Sequence, residues 1–164
     1  MRWIILAICI TCYGCAPLPT QQLVSRMPFP EQEYQALPTS GNAIVKGQAF
    51  LKTRGGDVKT AAGNAVILNP VTSYSKEWYA KEYLGGVPLE PPDHRLWNYV
   101  KKQVADASGR FTFKSVPAGD YFVTTVVTWE APTGYGGGLQ IQGGSVTRRI
   151  TVKDGDELDV IVTR

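Results

Sequence analysis

Six aromatic residues lie close together near the middle of the sequence, and their chemistry suits contact with a partner. Tyrosine and tryptophan rings combine a large apolar face with one polar group, so clusters that face solvent bind proteins or sugars. The alternative is that Trp78, Tyr83 and Trp97 close one end of a hydrophobic core. The candidate contact residues are Tyr74, Trp78, Tyr79, Tyr83, Trp97 and Tyr99.

Groups that could catalyse a reaction or bind a metal are sparse. The chain has one histidine, His94, in a Pro-Pro-Asp-His-Arg stretch with no nucleophile motif nearby, so a Ser-His-Asp triad has little basis. The densest acidic group, from Asp154 to Asp159, does not match the spacing of a calcium loop and indicates a polar hairpin rim instead. We therefore predict no catalytic residue, no metal site and no cofactor.

The charge balance is weakly basic. The chain has 17 Lys and Arg against 14 Asp and Glu, a formal net charge of +3, which is too small to predict a nucleic-acid partner. Arg148, Arg149 and Lys153 form a small basic group that is a candidate contact for anionic lipid or wall polymer. The alternative for these residues is the solvated face of a strand.

The first fifteen residues contain all three cysteines, Cys9, Cys12 and Cys15, so the rest of the chain has no disulfide or cysteine-based metal site. Arg2 precedes an apolar run from Trp3 to Ile10, which is typical of a secretory leader and much shorter than the ~20 residues of a membrane-spanning helix. The alternatives are a buried element of a cytosolic protein, and a redox pair formed by Cys12 and Cys15.

Cys12-Tyr13-Gly14-Cys15 resembles the lipobox of bacterial lipoproteins, in which a small residue precedes the cysteine that becomes the new N-terminus. Cys12 and Tyr13 depart from the residues usual in that family. The resemblance implies a signal peptide over residues 1–14 and acyl chains on Cys15, and several such chains anchor a protein firmly to a membrane. Ala16 stands where aspartate acts as an inner-membrane retention signal in enterobacterial lipoproteins, so the resemblance implies an outer-membrane anchor facing the periplasm.

Residues 15–41 are predicted to form the lipidated N-terminus and a proline-rich tether. Five prolines between positions 17 and 38 disfavour helix and favour extended backbone, which at ~3.1 Å per residue would reach on the order of 80 Å. The alternative is that Leu23 to Leu37 packs along the domain as an irregular arm.

From residue 42 to 164 the pattern is that of short strands. Ala43, Val45, Ala49 and Leu51 alternate with polar residues, and Asp154-Gly155 is a strong hairpin signal. About seven strands with closely spaced turns predict an all-β sandwich. Ser73 to Leu84 reads as a short helix capped by Ser73 or Ser75, and Asp93 is placed to cap a further turn, so a helical insertion is expected at about 73–98.

Asp106-x-x-Gly109-x-Phe111-x-Phe113-x-x-Val116-Pro117-x-Gly119-x-Tyr121 resembles the carboxypeptidase regulatory-like domains. The resemblance covers about residues 43–163 and implies the prealbumin-like, or transthyretin-like, sandwich. The helical insertion departs from the minimal pattern of that family. Fold resemblance alone does not assign a function.

These features lead to three functional hypotheses, in order of preference. The first is a non-enzymatic lipoprotein of the cell envelope whose sandwich is a binding or structural module for a protein or cell-wall partner. The second is a lipoprotein subunit of a secretion system or another envelope assembly. The third is a carbohydrate-binding module or a hydrolase, and an exposed coplanar pair among Trp78, Tyr83 and Trp97 would favour sugar binding.

Overall fold

A computed structural model describes residues 22–134 and 136–164, and this part of the chain forms eight strands in two sheets. The predicted signal peptide and Cys15 lie outside the described residues. The strands are β1 (Ala43–Lys52), β2 (Val58–Thr60), β3 (Ala65–Pro70), β4 (Lys101–Val104), β5 (Arg110–Val116), β6 (Gly119–Pro132), β7 (Leu139–Val152) and β8 (Glu157–Val162). The helices are α1 (Glu31–Gln35), α2 (Ser73–Trp78), a π-helix (Tyr79–Leu84) and a 3₁₀ helix (His94–Asn98). The predicted all-β sandwich with a short helical insertion is confirmed.

The first sheet is built around β1, which pairs antiparallel with β2 and β5 and parallel with β8. Val45, Ala49 and Leu51 alternate along β1 with more exposed residues and are buried. Because successive side chains of a strand point to opposite faces, this alternation directs one row of β1 into the core.

The second sheet has the order β4-β3-β6-β7, with all neighbours antiparallel. Tyr121, Val123 and Val127 of β6 are buried and pack in the main core with residues of the first sheet. Phe122 and Thr124 alternate with them and therefore lie on the opposite, outer face of the second sheet. This outer face carries the insertion.

The motif that resembles regulatory-like domains has a structural role at two corners. Asp106 Oδ1 accepts hydrogen bonds from the backbone N–H groups of Ser108 and Arg110 at 2.8 and 2.9 Å, which closes the turn before β5. The Tyr121 hydroxyl donates to the Pro117 carbonyl at 2.9 Å and fixes the corner between β5 and β6. These residues therefore shape the fold at the two corners that flank β5.

The glycine pair Gly143-Gly144 corrects one expectation. The sequence pattern suggests a flexible tip there, but both residues lie within β7 and pair with Thr128 and Val127. A Cβ at Gly143, which has a φ of +97°, would lie 2.1 Å from the Val127 carbonyl oxygen. Glycine is therefore required by close backbone approach in the strand, and the β6–β7 hairpin turns earlier, between Pro132 and Leu139.

Residues 71–100, here called the insertion, connect β3 to β4. The cap of α2 is Thr72, not Ser73 or Ser75: its side chain accepts from the Ser75 backbone N–H, and the Ser75 side chain accepts from the Thr72 N–H. This reciprocal pair satisfies two donors that a helix start leaves free. Asp93 caps the 3₁₀ helix, as predicted, by accepting from the Arg95 N–H.

Residues 24–37, here called the arm, pack against the insertion instead of extending away from it. Val24 forms a parallel bridge with Leu89, and Tyr34 is fully buried. The Thr72 hydroxyl donates to the Tyr34 hydroxyl at 2.9 Å. Of the two possibilities for this stretch, the packed arm is the one that the structure shows, because Tyr34 joins a second core with Tyr74 and Leu96.

Candidate functional site

The insertion is held on the outer face of the second sheet by ring packing. The Tyr79 ring stacks on Phe122 at a centroid distance of 4.6 Å and an angle of 17°, and Trp78 meets the edge of Phe122 at 6.4 Å. The π-helix places Tyr83 four residues after Tyr79, and these two rings stack at 5.3 Å and 21°. Phe122, 2% exposed, is thus the apolar anchor of the insertion.

The six candidate aromatic residues have different surroundings. Tyr74 is buried, and Tyr99 packs half-buried against the second core. Trp78 and Tyr83 are half-buried and inclined to each other by 33°, so they do not form an exposed coplanar pair. Trp97, by contrast, is 54% exposed. Of the six rings, Tyr74 and Tyr99 belong to the second core, and Trp78, Tyr79 and Tyr83 are half-buried around Phe122. The interpretation that Trp78, Tyr83 and Trp97 close one end of the core does not hold for Trp97, which is the most exposed ring of the six.

A cavity of about 230 Å³, here called the tryptophan cavity, lies between the insertion, the arm and the outer face of the sheet. It brings Trp78, Trp97 and Tyr74 together with polar groups from three other parts of the chain. The lining residues are Arg26, Ile67, Asn69, Tyr74, Ser75, Trp78, Glu82, Pro92, Leu96, Trp97, Val100 and Thr124. Apolar walls with a few converging polar groups are typical of small-molecule sites.

Arg26 of the arm supplies the positive charge of the cavity. Its side chain is 9% exposed, and Nη2 lies 3.1 Å from Oε2 of Glu82 in the π-helix. The guanidinium also lies 5.6 Å from the centre of the Tyr74 ring, and Nε donates to the Glu90 carbonyl. These contacts hold Arg26 in place, because a charge this far from water needs its partners.

Asn69 of β3 contributes a buried acceptor without a partner. Its side-chain oxygen Oδ1 has no hydrogen bond to any residue that the structure describes. Asn69 is one of the residues that line the tryptophan cavity, although Oδ1 itself is buried. A buried polar atom left unpaired costs about 1–3 kcal/mol, so this oxygen carries a desolvation cost in the folded chain.

His94 is not among the residues that line the tryptophan cavity, and its side chain is 91% exposed. Its neighbour Asp93 is engaged by Arg95, whose Nη2 lies 2.8 Å from Oδ2. This hydrogen bonding with Arg95 holds the pKa of the Asp93 carboxyl far below its usual range, so Asp93 is ionised at neutral pH. The pair fixes the 3₁₀ helix that carries Trp97.

The basic candidates lie away from the tryptophan cavity. Arg148 and Arg149 are consecutive residues of β7, so their side chains leave the strand on opposite faces. Arg149 Nη2 lies 2.7 Å from Asp120 Oδ2, while Lys153 follows the end of the strand. A contact of these residues with an anionic polymer stays a prediction.

Sequence reasoning did not identify Arg26, Asn69 or Glu82 as site residues. Asn69 reads as the end of a strand and Arg26 as part of a tether, and residues this far apart in sequence meet only in the fold. The signal available in the sequence was Asn69, a polar residue at the end of an apolar strand.

Across residues 22–134 and 136–164, no group of three or more His, Cys, Asp and Glu side chains is arranged to hold a metal ion. Within the same ranges, no helix has the length and apolar character that crossing a bilayer requires.

Comparison with known proteins relates the chain to a solved crystal structure. No protein-family model and no curated protein matches the sequence. A crystal structure from Pseudomonas aeruginosa, described as a "putative carbohydrate binding protein", superposes with a TM-score of 0.76 and is 32% identical in sequence. The match covers 85% of this chain and 99% of that chain, so this chain belongs to the same family as that Pseudomonas aeruginosa protein.

Proposed function

We propose that the protein is a non-catalytic, carbohydrate-binding lipoprotein of the cell envelope. One observation carries the proposal: the exposed ring of Trp97 and the polar side chains of Asn69 and Arg26 line the same cavity. A sugar offers the matching surface, since each ring has an apolar face and a rim of hydroxyl groups. Carbohydrate binding was part of the third hypothesis drawn from the sequence. The lining of the tryptophan cavity makes it the function that we now prefer.

The polar groups of the tryptophan cavity have complementary roles toward hydroxyl groups. The Asn69 side-chain amide, the Arg26 guanidinium and the Glu82 carboxylate line the cavity, and together they offer donors and acceptors to hydroxyl groups. Trp97 supplies the apolar surface on which a sugar ring lies. Recognition of this kind is reversible contact and forms no covalent bond.

The description of the Pseudomonas aeruginosa relative supports the same proposal. That protein is described in terms of carbohydrate binding, and its chain matches this one over almost its whole length. We take that description as support for sugar binding by this chain, with the tryptophan cavity as the proposed site.

Titration of the full chain, purified in detergent, tests the proposal. Neutral hexoses, N-acetylhexosamines and uronic acids are titrated in turn, with heat and tryptophan fluorescence as the signals. We expect one class to bind and Trp97→Ala to weaken binding at least about tenfold, equivalent to about 1.4 kcal/mol. Ile161→Ala is the matched control, because Ile161 is 52% exposed but lies on β8 of the other sheet. Binding that Trp97→Ala leaves unchanged contradicts the assignment of the site.

The anchor is proposed separately from the sugar site. By its likeness to a lipobox, Cys15 carries the acyl chains, and the protein is held on a membrane, with the outer membrane facing the periplasm as the expected location. Mass spectrometry of the mature N-terminus from wild type and Cys15→Ala tests this. We expect a lipid mass on Cys15 in the wild type alone, and a wild-type product that retains residues 1–14 without lipid refutes the anchor.

A further inference from the structure

A second depression adjoins the tryptophan cavity and shares two of its walls. It measures about 470 Å³, lies over β7, and is here called the β7 depression. Trp78 and Glu82 line both spaces, so they form the boundary between them. The residues that line the β7 depression are Trp78, Glu82, Tyr83, Leu84, Ser145 and Arg164.

The boundary between the two spaces is chemically suited to a sugar chain. Oε2 of Glu82 accepts from Arg26, and Oε1 has no partner among the residues described. The Glu82 side chain is 40% exposed and lines both spaces, so the carboxylate is within reach of a ligand that spans them. The Trp78 ring beside it provides an apolar wall.

The β7 depression has the mixed lining that a second sugar ring needs. The Tyr83 hydroxyl accepts from the Thr147 backbone N–H at 3.1 Å, which fixes the ring and leaves the hydroxyl hydrogen free for a ligand. The exposed residues Leu84 and Ser145 add an apolar surface and a hydroxyl group. The depression therefore offers a donor, an acceptor and apolar area, as the tryptophan cavity does.

The volume of the tryptophan cavity limits how much of a ligand it can hold. Sites for whole small-molecule ligands usually measure about 300–1,000 Å³, and the tryptophan cavity at about 230 Å³ is smaller than that range. It suits a single ring, whereas the two spaces together fall within the range.

We infer that the ligand is a saccharide of at least two linked units. One ring lies against Trp97 in the tryptophan cavity, the next lies in the β7 depression, and the Glu82 carboxylate binds hydroxyl groups between them. This inference rests on the proposed carbohydrate-binding function and assigns the β7 depression as its second subsite.

The test is a length series with a variant that fills the second subsite. The sugar class that binds best is titrated as the monomer, dimer and trimer against wild type, Ser145→Tyr and Thr112→Tyr, all as full chains. Thr112 is the matched control, because it is an exposed strand residue of the other sheet. Thermal unfolding of each variant verifies that the fold is retained.

We expect wild type and Thr112→Tyr to bind the dimer at least about tenfold more tightly than the monomer. In Ser145→Tyr the monomer affinity should be unchanged and the gain from the dimer lost. Equal affinity for monomer and dimer in the wild type overturns the second subsite and leaves the sugar function standing. A dimer gain that survives in Ser145→Tyr places the second ring elsewhere, which also overturns it. If no sugar binds, the proposed function and the extended site both fail.

Discussion

Replacement of Asn69 by leucine should stabilise the free protein while it removes affinity for sugar. Asn69 Oδ1 is buried and unpaired among the described residues, so the folded state bears its desolvation cost without a compensating hydrogen bond. Leucine has a similar size, lacks the acceptor and is better suited to a strand such as β3 than asparagine is. Stability and binding are therefore expected to change in opposite directions.

The size of the stability effect follows from the state of this oxygen. An unsatisfied buried polar group costs about 1–3 kcal/mol, and an apolar group of the same shape removes that cost. We expect the free energy of unfolding to rise by about 1 kcal/mol or more. For a chain of this length, each kcal/mol corresponds to a Tm shift of roughly 2–4 °C.

Urea and thermal unfolding of the full chain, followed by circular dichroism, measure the change. Asn98→Leu is the control, because Asn98 is exposed at the end of the 3₁₀ helix and its replacement should alter stability by at most about 0.5 kcal/mol. Sugar titration of the same preparations measures the loss of binding. If Asn69→Leu lowers stability by about 1 kcal/mol or more, Oδ1 has a structural partner and does not serve the ligand, which refutes the reasoning.

Three further predictions concern the scaffold. Burial raises the pKa of Tyr34 to about 12, so the unfolded state loses the phenol proton at a lower pH than the folded state does. Between about pH 10 and 12, the free energy of unfolding of the wild type should therefore fall by about 2–3 kcal/mol more than that of Tyr34→Phe. Urea unfolding measures this difference. Gly47→Ala should destabilise by about 1–3 kcal/mol, measured as a lower urea midpoint, because the added Cβ would lie 2.4 Å from the Val160 carbonyl oxygen. The hydrogen bond from Thr151, aided by Arg149, lowers the pKa of Asp120, so this carboxylate stabilises the fold above its unfolded pKa of about 4 and loses that effect as the pH falls further. Asp120→Asn should therefore flatten the acid side of the stability profile.

A specific experimental result would contradict each of these three predictions. Parallel alkaline profiles for wild type and Tyr34→Phe would mean that the buried phenol titrates normally. A Gly47→Ala variant as stable as wild type would mean that β1 and β8 separate at no cost. An Asp120→Asn profile that falls as steeply as wild type below about pH 4 would assign the acid sensitivity to other carboxylates.

The sandwich was predictable because its signals are local. Alternation in β1 and the turn at Asp106 are each contained within a few residues and depend on backbone geometry alone. The capped helix in the insertion is similar, although the cap fell one residue earlier than expected because Thr72 and Ser75 satisfy each other. The long β7 strand was missed at its start because the glycine pair at 143–144 is typical of turns.

The candidate site was not predictable because its parts come from distant positions. Arg26 and Glu82 are 56 residues apart in sequence, and neither is unusual in its local context. The aromatic cluster did indicate the region in which the tryptophan cavity lies, but a sequence does not distinguish Trp97, which is exposed, from Tyr74, which is buried. Burial depends on how the arm lies against the insertion, and the prolines of the arm favoured an extended segment.

The arm lies between the proposed anchor and the proposed sugar site. It is the described segment nearest in sequence to Cys15, and it enters the structure through the Val24–Leu89 bridge and the contacts of Arg26. A pull on the N-terminal side of residue 22 therefore strains the wall of the tryptophan cavity before it reaches a strand of the sandwich. A sugar bound against Arg26 would increase the force needed to detach the arm. Because such coupling is reciprocal, tension on the arm would lower the affinity for the sugar.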